Sequence, residues 1–244
     1  MSRNSLMAVL VALLLTLIDT TVAAADSDMP RGRMPVGGGT GLAFLRGGPL
    51  TDHALVYICT LTTIGYDAAG NLVGLTNAHC VYDGDKQWPG DRVLLESAVF
   101  TPGAAIDVLG MVEYISGGNP IVPGPNGPGL DYAVIVFDKS IVEPVATVGK
   151  TTIRGVGSPP PAGTSVCKQG AASDRSCGTT LTTTGPYLVN TISEIPGDSG
   201  APMVAGDTLV GNQWMWGAGT AITDILADLD RRGGIGAGFR PVSP

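Results

Sequence analysis

Three short motifs, which contain a histidine, an aspartate and a serine in that order, constrain this chain most strongly. They are Thr76-Asn77-Ala78-His79-Cys80, Asp131-Tyr132-Ala133-Val134 and Gly197-Asp198-Ser199-Gly200-Ala201-Pro202. A nucleophilic serine needs a base that takes its proton, an acid that orients the base, and N–H donors for the developing oxyanion. Subtilisins carry the three residues in the order Asp, His, Ser, and α/β-hydrolases in the order Ser, Asp, His. The order found here excludes both of those folds.

The histidine and the aspartate of these motifs are better candidates than their alternatives. His79 ends an apolar strand beside Cys80, which can lock the adjacent backbone, whereas His53 is predicted to lie on the surface. Asp131 directly precedes an apolar strand that would bury it, and a buried carboxylate needs a partner such as an imidazole N–H. We therefore predict that Ser199 is the nucleophile, His79 its base and Asp131 the orienting acid.

The serine motif also contains the residues that an oxyanion hole requires. By itself, Gly197-Asp198-Ser199-Gly200 could be an ordinary turn, because the chain contains 36 glycines. However, a glycine allows the backbone conformation that aims two N–H groups at one point. An ordinary turn also needs no histidine and aspartate motifs elsewhere in the chain. We predict that the N–H groups of Gly197 and Ser199 form the oxyanion hole.

The N-terminus has the layout of a secretory signal peptide. Arg3 precedes an apolar run over residues 6–18, and three alanines at 23–25 resemble a cleavage site. The run is too short to span a bilayer, so we expect no stable membrane insertion. We predict a secreted, extracellular protein that is cleaved after Ala25, with residues 26–41 forming a short pro-segment or flexible arm.

Short apolar runs separated by turn residues predict an all-β chain. The expected strands are 54–62, 72–77, 92–99, 106–115 and 132–137 in a first unit, and 145–153, 165–168, 178–184, 187–193, 203–204 and 208–215 in a second. Residues 117–129 hold four prolines and five glycines, and therefore form an irregular loop that leads to Asp131. Apolar residues at helical spacing over 221–231 predict a terminal helix, followed by a loose tail over 235–244.

Charge and metal-ligand content exclude several functions. The formal net charge is −7 and no basic stripe is present, so we expect no nucleic-acid partner. With two histidines and no CxxC motif, a zinc site is not expected. Asp83-Gly84-Asp85 could suggest calcium, but two carboxylates in a turn are more often simply solvated. We assign no metal.

Residues 57–231 resemble chymotrypsin-fold serine peptidases, most closely the bacterial streptogrisin and α-lytic protease group. Besides the three motifs, Val166-Cys167-Lys168-Gln169-Gly170 and Ser176-Cys177-Gly178-Thr179 are similar to a disulfide-closed loop of that group. The resemblance implies a peptidase domain over 42–244, made of two antiparallel β-barrels with a C-terminal helix. The first barrel would cover about 42–143, the second about 144–220 and the helix about 221–232.

The resemblance also implies partners for the four cysteines and for one lysine. Cysteines of an exported chain are expected to be paired, and four allow three connectivities. The family pattern selects Cys59 with Cys80 and Cys167 with Cys177. The bacterial relatives carry a basic residue directly after the first cysteine of the second pair, and Lys168 occupies that position. We therefore predict a buried ion pair between Lys168 and Asp198.

Ser193 is the predicted floor of the primary specificity pocket. Trypsin-like enzymes place an aspartate six residues before the nucleophile, and Ser193 stands there in this chain. Cleavage after arginine or lysine is therefore not expected. Glu194 is adjacent, but strand alternation would point it away from the floor.

The segment Trp214 to Gly217 is the predicted pocket wall, although its aromatic residues could also be ordinary core. Trp214, Met215 and Trp216 follow the serine at the distance where relatives have a substrate-pairing strand. In one register of alignment with the family, Trp216 replaces the glycine that keeps the pocket mouth open, so only small apolar side chains would fit. In a register slipped by one residue, Trp216-Gly217 matches the family's Trp-Gly pair and larger side chains would fit. We favour the first register.

Together these expectations describe a serine endopeptidase that needs no cofactor. It would hydrolyse a peptide or protein substrate through an acyl-enzyme, as a monomer. Two alternatives use the same residues: a secreted binding protein that has this fold without turnover, and an esterase that does not cleave peptides.

Overall fold

The computed structural model describes residues 32–46, 56–83, 86–87 and 89–244. The predicted signal peptide and His53 lie outside these ranges. The strands of the first half are β1 (Met34–Val36), β2 (Gly41–Leu45), β3 (Val56–Thr60), β4 (Thr63–Tyr66), β5 (Leu72–Thr76), β6 (Tyr82–Asp83), β7 (Lys86–Gln87), β8 (Arg92–Leu95), β9 (Val108–Ile115), β10 (Ala133–Phe137) and β11 (Val142–Pro144).

The strands of the second half are β12 (Thr147–Val148), β13 (Thr151–Thr152), β14 (Gly155–Val156), β15 (Ser165–Gly170), β16 (Asp174–Thr184), β17 (Tyr187–Asn190), β18 (Pro202–Ala205), β19 (Thr208–Gln213), β20 (Ala218–Ala221) and β21 (Arg240–Pro241). The helices are a 3-10 turn (Ala78–Cys80), α1 (Glu96–Phe100) and α2 (Ile222–Arg232). None of the helices in the described ranges is long and apolar enough to cross a bilayer.

The first half forms a curled, half-barrel sheet of eight strands in the order β21-β4-β5-β10-β9-β8-β2-β3. Strand β3 lies at one end of this order and β4 is next to the strand at the other end, yet only two residues separate β3 and β4 in the chain. Leu61 N donates to Thr40 O at 2.9 Å and Thr62 N donates to Leu75 O at 2.7 Å. Both residues between β3 and β4 therefore remain hydrogen-bonded to backbone carbonyls of the first half as the chain passes from one strand to the other.

The second half forms a closed barrel of six strands in the order β19-β18-β15-β16-β17-β20, because β20 also pairs with β19. The interior is filled by apolar side chains from alternating strand positions, among them Val166, Leu188, Met203 and Val210. The predicted all-β fold with a C-terminal helix is confirmed, with one closed barrel and one curled half-barrel. Both predicted disulfides, Cys59–Cys80 and Cys167–Cys177, are present.

Strands β5 and β10 are apolar on both faces because they lie between two cores. Leu72 and Ile135 belong to the core of the first sheet. The alternate residues Leu75 and Val134 belong to a second cluster, which also contains residues from the other barrel and from α2. The residues that the other barrel and α2 contribute include Cys167, Val204, Leu209, Ile222, Ile225 and Leu229. The ends of β5 and β10 therefore lie at the junction of the two halves.

The terminal helix was predicted correctly from the sequence, but a short helix in the first half was missed. Helix α2 buries Ile222, Ile225 and Leu229 and stops at Gly233, whose φ is +69°. In contrast, the predicted strand 92–99 divides into β8 and helix α1. Five residues are too few for a helical period to stand out from the apolar run.

The expected flexible arm over 26–41 is wrong where the structure describes it. Strand β1 pairs in parallel with β11, and Val36 is fully buried. The glycines that follow allow a close approach between backbones: a Cβ on Gly38 would lie 2.6 Å from Thr62 O. Glycine-rich sequence here reflects tight packing and not flexibility, so residues 34–41 belong to the folded domain.

The expected loose tail over 235–244 is also wrong. Strand β21 pairs with β4, and Phe239 is buried. The Asp67 carboxylate, buried in a turn, accepts hydrogen bonds from Gly236 N (3.1 Å) and from the backbone and side chain of Asn71. Burial alone would raise the pKa of Asp67, but hydrogen bonds from Asn71, Gly236 and Ala69 hold it below its ordinary value. This carboxylate ties the C-terminal segment to the first sheet.

We expect Asp67→Ala to lower the free energy of unfolding by about 2 kcal/mol at pH 7, because the buried N–H of Gly236 and the partly buried donors of Asn71 lose a charged acceptor. The difference in free energy of unfolding between wild type and Asp67→Ala should shrink as the pH falls below about 4, since the wild-type carboxyl then becomes protonated. Urea unfolding at several pH values measures it. The control is Asp138→Ala, which removes a similar turn contact to Ser140 that is exposed. Equal, small losses in both variants would contradict the role of Asp67.

Candidate active site

His79 and Asp131 meet because neighbouring antiparallel strands end and begin at the same place. Thr76, the last residue of β5, pairs with Ala133, the first residue of β10. His79 lies in the 3-10 turn just after β5, and Cys80 bonds it to β3. Its Nδ1 is 2.8 Å from Asp131 Oδ2, and its backbone N–H donates to Asp131 Oδ1 at 3.0 Å.

Ser199 reaches the same histidine from the other half of the chain. Its Oγ lies 2.8 Å from His79 Nε2, across a sequence separation of 120 residues. With Nδ1–H donating to the buried carboxylate, Nε2 presents its lone pair to the serine hydroxyl. The imidazole remains slightly exposed, with 13% of its side-chain surface accessible, so a substrate can approach. The three predicted residues therefore lie in one hydrogen-bonded chain.

Asp131 is held from several directions in an unusual backbone conformation. It is fully buried and its φ is +50°, in the left-handed region that is costly for a residue with a side chain. Its N–H donates to Gly117 O at 2.9 Å, and its carbonyl accepts from Asn77 Nδ2 at 3.0 Å. Its carboxylate also accepts from Asn119, a residue that the sequence analysis did not single out. Asn119 lies in the loop 117–129, where the prolines and glycines predicted an irregular loop and nothing indicated a functional residue.

The loop that carries Ser199 adopts a conformation that only glycine allows at two points. Gly197 and Gly200 have φ values of +102° and +88°, and a Cβ on Gly200 would collide with Thr60 O. Within the described part of the chain, the N–H groups of Gly197 and Ser199 donate to no protein acceptor. Both N–H groups are thus available to an incoming oxygen.

Beneath this loop lies a buried charge pair. Lys168 and Asp198 have fully buried side chains, and Lys168 Nζ is 3.0 Å from Asp198 Oδ2. The same carboxylate accepts from Ser173 Oγ (2.5 Å) and from Ile195 N (3.0 Å). Burial alone would raise the pKa of Asp198, but the hydrogen bonds from Ser173, Ile195 and Lys168 hold it below its ordinary value. Asp198 thus anchors the turn that contains Gly197 and Ser199.

The predicted pocket wall has a different shape from the one expected. Strand β19 ends at Gln213, and Ala218 N donates back to Met215 O at 3.1 Å. Trp216 and Gly217 have φ values of +53° and +66°, the signature of a tight two-residue hairpin loop. Residues 214–216 are therefore not the extended strand that we expected: the segment turns to join β19 to β20.

The two tryptophans of this segment point in opposite directions. Trp214 is buried, with Nε1 donating to Thr220 Oγ1 at 2.9 Å and its ring edge-on to Tyr187. Its carbonyl oxygen lies 3.4 Å from Ser199 Oγ. Trp216 is 74% exposed, so its indole does not crowd a pocket as we expected for the favoured register.

Glu194, and not Ser193, contacts the predicted pocket wall. Ser193 is exposed. The half-buried Glu194 carboxylate accepts from Gly217 N at 2.9 Å and from Gln213 Nε2 at 3.3 Å. The expectation that Glu194 points away is wrong, because residues 191–196 are not a strand and alternation does not apply to them.

Lys168→Met should reduce both stability and turnover. It leaves the Asp198 carboxylate buried and unpaired, which costs about 3 to 5 kcal/mol, and it loosens the Gly197–Ser199 turn. Chemical unfolding and rates per active site measure the two effects. Arg154→Met is the control, because the Arg154–Asp207 pair is exposed and should contribute less than about 1 kcal/mol. Wild-type activity in Lys168→Met would refute the role of the pair.

Comparison with known proteins supports the fold at low sequence identity. No protein-family model and no curated protein matches the sequence. Thermobifida fusca Protease A is 19% identical, with 86% of this chain and 100% of that chain covered and a TM-score of 0.57. Nocardiopsis protease is 20% identical, with coverage of 80% and 96% and a TM-score of 0.54. Cellulomonas bogoriensis chymotrypsin is 21% identical, with coverage of 86% and 100% and a TM-score of 0.52. The chain therefore has the chymotrypsin-like fold of these serine proteases.

Proposed function

We propose that this chain is a secreted serine endopeptidase that hydrolyses peptide bonds through an acyl-enzyme intermediate. The observation that carries the proposal is the series of two contacts that links Ser199 to Asp131 through His79. The distance from Ser199 Oγ to His79 Nε2 is 2.8 Å, and the distance from His79 Nδ1 to Asp131 Oδ2 is also 2.8 Å. The chymotrypsin-like fold supports it, because the similar structures are those of serine proteases. The two disulfides and the predicted leader support export.

The geometry supports the following sequence of steps. Ser199 Oγ attacks the substrate carbonyl carbon while its proton moves to His79 Nε2. The N–H groups of Gly197 and Ser199 stabilise the oxyanion of the tetrahedral intermediate. The intermediate collapses as His79 gives its proton to the leaving amine, which releases the first product. Water, deprotonated by His79, then attacks the acyl carbon of the acyl-enzyme. The ester bond to Ser199 Oγ breaks, His79 returns the proton to Oγ, and the carboxylic acid product leaves. Asp131 orients the imidazole and stabilises its charged form throughout.

Ser199→Ala should abolish turnover and leave the fold unchanged, because the hydroxyl contributes chemistry and little packing. The loss should be several orders of magnitude in kcat. Hydrolysis of peptide and ester substrates measures it, together with covalent labelling by a fluorophosphonate. The control is His53→Ala, which changes the other histidine of the chain and should retain nearly full activity.

Different results separate the proposal from its alternatives. A wild-type protein that no fluorophosphonate labels would be a binding protein on this fold. A wild-type protein that is labelled and cleaves esters, but no member of a peptide library read by mass spectrometry, would be an esterase. Normal ester hydrolysis by Ser199→Ala would show that the nucleophile is a different residue.

The specificity that we propose is for a small, apolar residue before the scissile bond, and not for arginine or lysine. The Glu194 carboxylate contacts the predicted pocket wall through Gly217 N, and it also accepts a hydrogen bond from Gln213 Nε2. A side chain of the protein itself therefore takes up space that a large substrate side chain would need. The limit on size comes from Glu194, since Trp216 faces solvent.

Glu194→Ala should widen the cleavage profile towards larger residues before the scissile bond. Glu194→Gln keeps the bulk and an acceptor for Gly217 N, so it should retain the wild-type size limit. Trp216→Ala is the control for the exposed indole and should leave the limit unchanged. Cleavage of a peptide library shows all three profiles. An unchanged profile in Glu194→Ala, or a widened one in Trp216→Ala, would contradict the assignment.

A further inference from the structure

The carboxylate oxygen of Asp131 that faces the histidine has a second, shorter contact. Oδ2 accepts from His79 Nδ1 at 2.8 Å and also from Asn119 Nδ2 at 2.6 Å. Asn119 is fully buried, and it lies twelve residues before Asp131, in the loop 117–129. Without it, Oδ2 would be held only by the imidazole that it has to orient.

We propose that Asn119 is a positioning residue that fixes the Asp131 carboxylate, and through it the His79 imidazole. This inference rests on the proposed function. A hydrogen bond from a neutral amide holds the carboxylate plane and adds no charge that would compete for the histidine proton. The left-handed backbone of Asp131 makes such a restraint necessary, because that conformation persists only when surrounding contacts fix it.

The orientation of the Asn119 amide is determined by its other contacts. Its Oδ1 accepts from Ile121 N at 2.9 Å and from Val122 N at 2.8 Å. A flipped amide would place NH₂ against two N–H donors and an oxygen against a carboxylate, and both contacts would be unfavourable. Nδ2 must therefore face Asp131, so this side chain is a fixed donor.

The loop that holds Asn119 is itself held against the histidine segment. Tyr82, two residues after Cys80, donates from its OH to Val122 O at 2.6 Å. Burial first, and the Asp131 charge second, raise the pKa of Tyr82, so its hydroxyl stays protonated and remains a donor. Gly118 N donates to Pro123 O and Gly127 O, both at 3.0 Å. The loop therefore connects the histidine turn to the aspartate through Asn119.

Three variants test this proposal with rates normalised to the active-site concentration from fluorophosphonate titration. Asn119→Ala removes the donor to Asp131 and the acceptor for the loop. Asn119→Asp keeps an acceptor for Ile121 N and Val122 N but replaces the donor with a second carboxyl. Asn126→Ala is the matched control, because Asn126 lies in the same loop and donates to Ile115 O, away from Asp131.

We expect kcat to fall about 10- to 100-fold in both Asn119 variants, with KM changed by less than about 3-fold, because the catalytic groups lose their alignment. Asn126→Ala should keep both kcat and KM within about 2-fold of the wild-type values.

Three results would overturn the proposal. The first is a kcat per titrated site within 2-fold of wild type in both Asn119 variants. The second is wild-type kcat in Asn119→Asp at alkaline pH, where an ionised second carboxyl cannot donate, beside a low kcat in Asn119→Ala; this would assign Asn119 to loop anchoring alone. The third is an equal loss in Asn126→Ala. A failure of the proposed function itself would look different, because wild-type protein would then not be labelled by the fluorophosphonate.

Discussion

Hydrogen bonds between the two halves of the chain hold the serine loop in place, and the active-site geometry depends on them. Ser199 lies in the second half, but its carbonyl accepts from Thr60 N in the first sheet at 2.7 Å. Thr60 Oγ1 donates to Gly197 O at 2.8 Å and Thr62 Oγ1 to Gly200 O at 2.7 Å. Three carbonyls of the nucleophile loop are thus bound by the bend between β3 and β4. This contact sets the position of Ser199 relative to His79.

The junction of the two halves is apolar behind the site and polar beside it. The apolar part is the cluster shared by β5, β10, the second barrel and α2. The polar part includes Asn77, which contacts Asn212 and donates to the carbonyl of Asp131. Burying such groups is costly unless they are hydrogen-bonded, and their hydrogen bonds are directional. Apolar contact therefore stabilises the junction, while the polar contacts fix one relative position of the catalytic groups.

The sequence predicted the elements of the fold correctly where the local pattern of apolar residues matches the residues that the structure buries. Helix α2 was predicted within one residue, because Ile222, Ile225 and Leu229 repeat at helical spacing before two glycines. Five strands of the half-barrel (β3, β5, β8, β9 and β10) were recognisable as apolar runs, whereas β2 and β4 were not predicted. The prediction failed at the two ends of the domain, where segments rich in glycine looked flexible. Glycine gives the same sequence signal in a mobile segment and in a tightly packed one, and only the contacts of β1 and β21 distinguish them.

The sequence by itself determined the candidate nucleophile, base and acid, since each lies in a short motif. The structure places His79 within hydrogen-bond distance of both Asp131 and Ser199, as a catalytic role for the three residues requires. The tertiary structure alone decided the surroundings of these residues. Asn119 and Glu194 act through contacts with Asp131, Gln213 and Gly217, and nothing in the local sequence of either residue indicates those partners. Their roles depend on which strands are neighbours and on where a hairpin turns. A motif specifies which chemical groups are present, whereas the folded chain fixes the distances and directions between them.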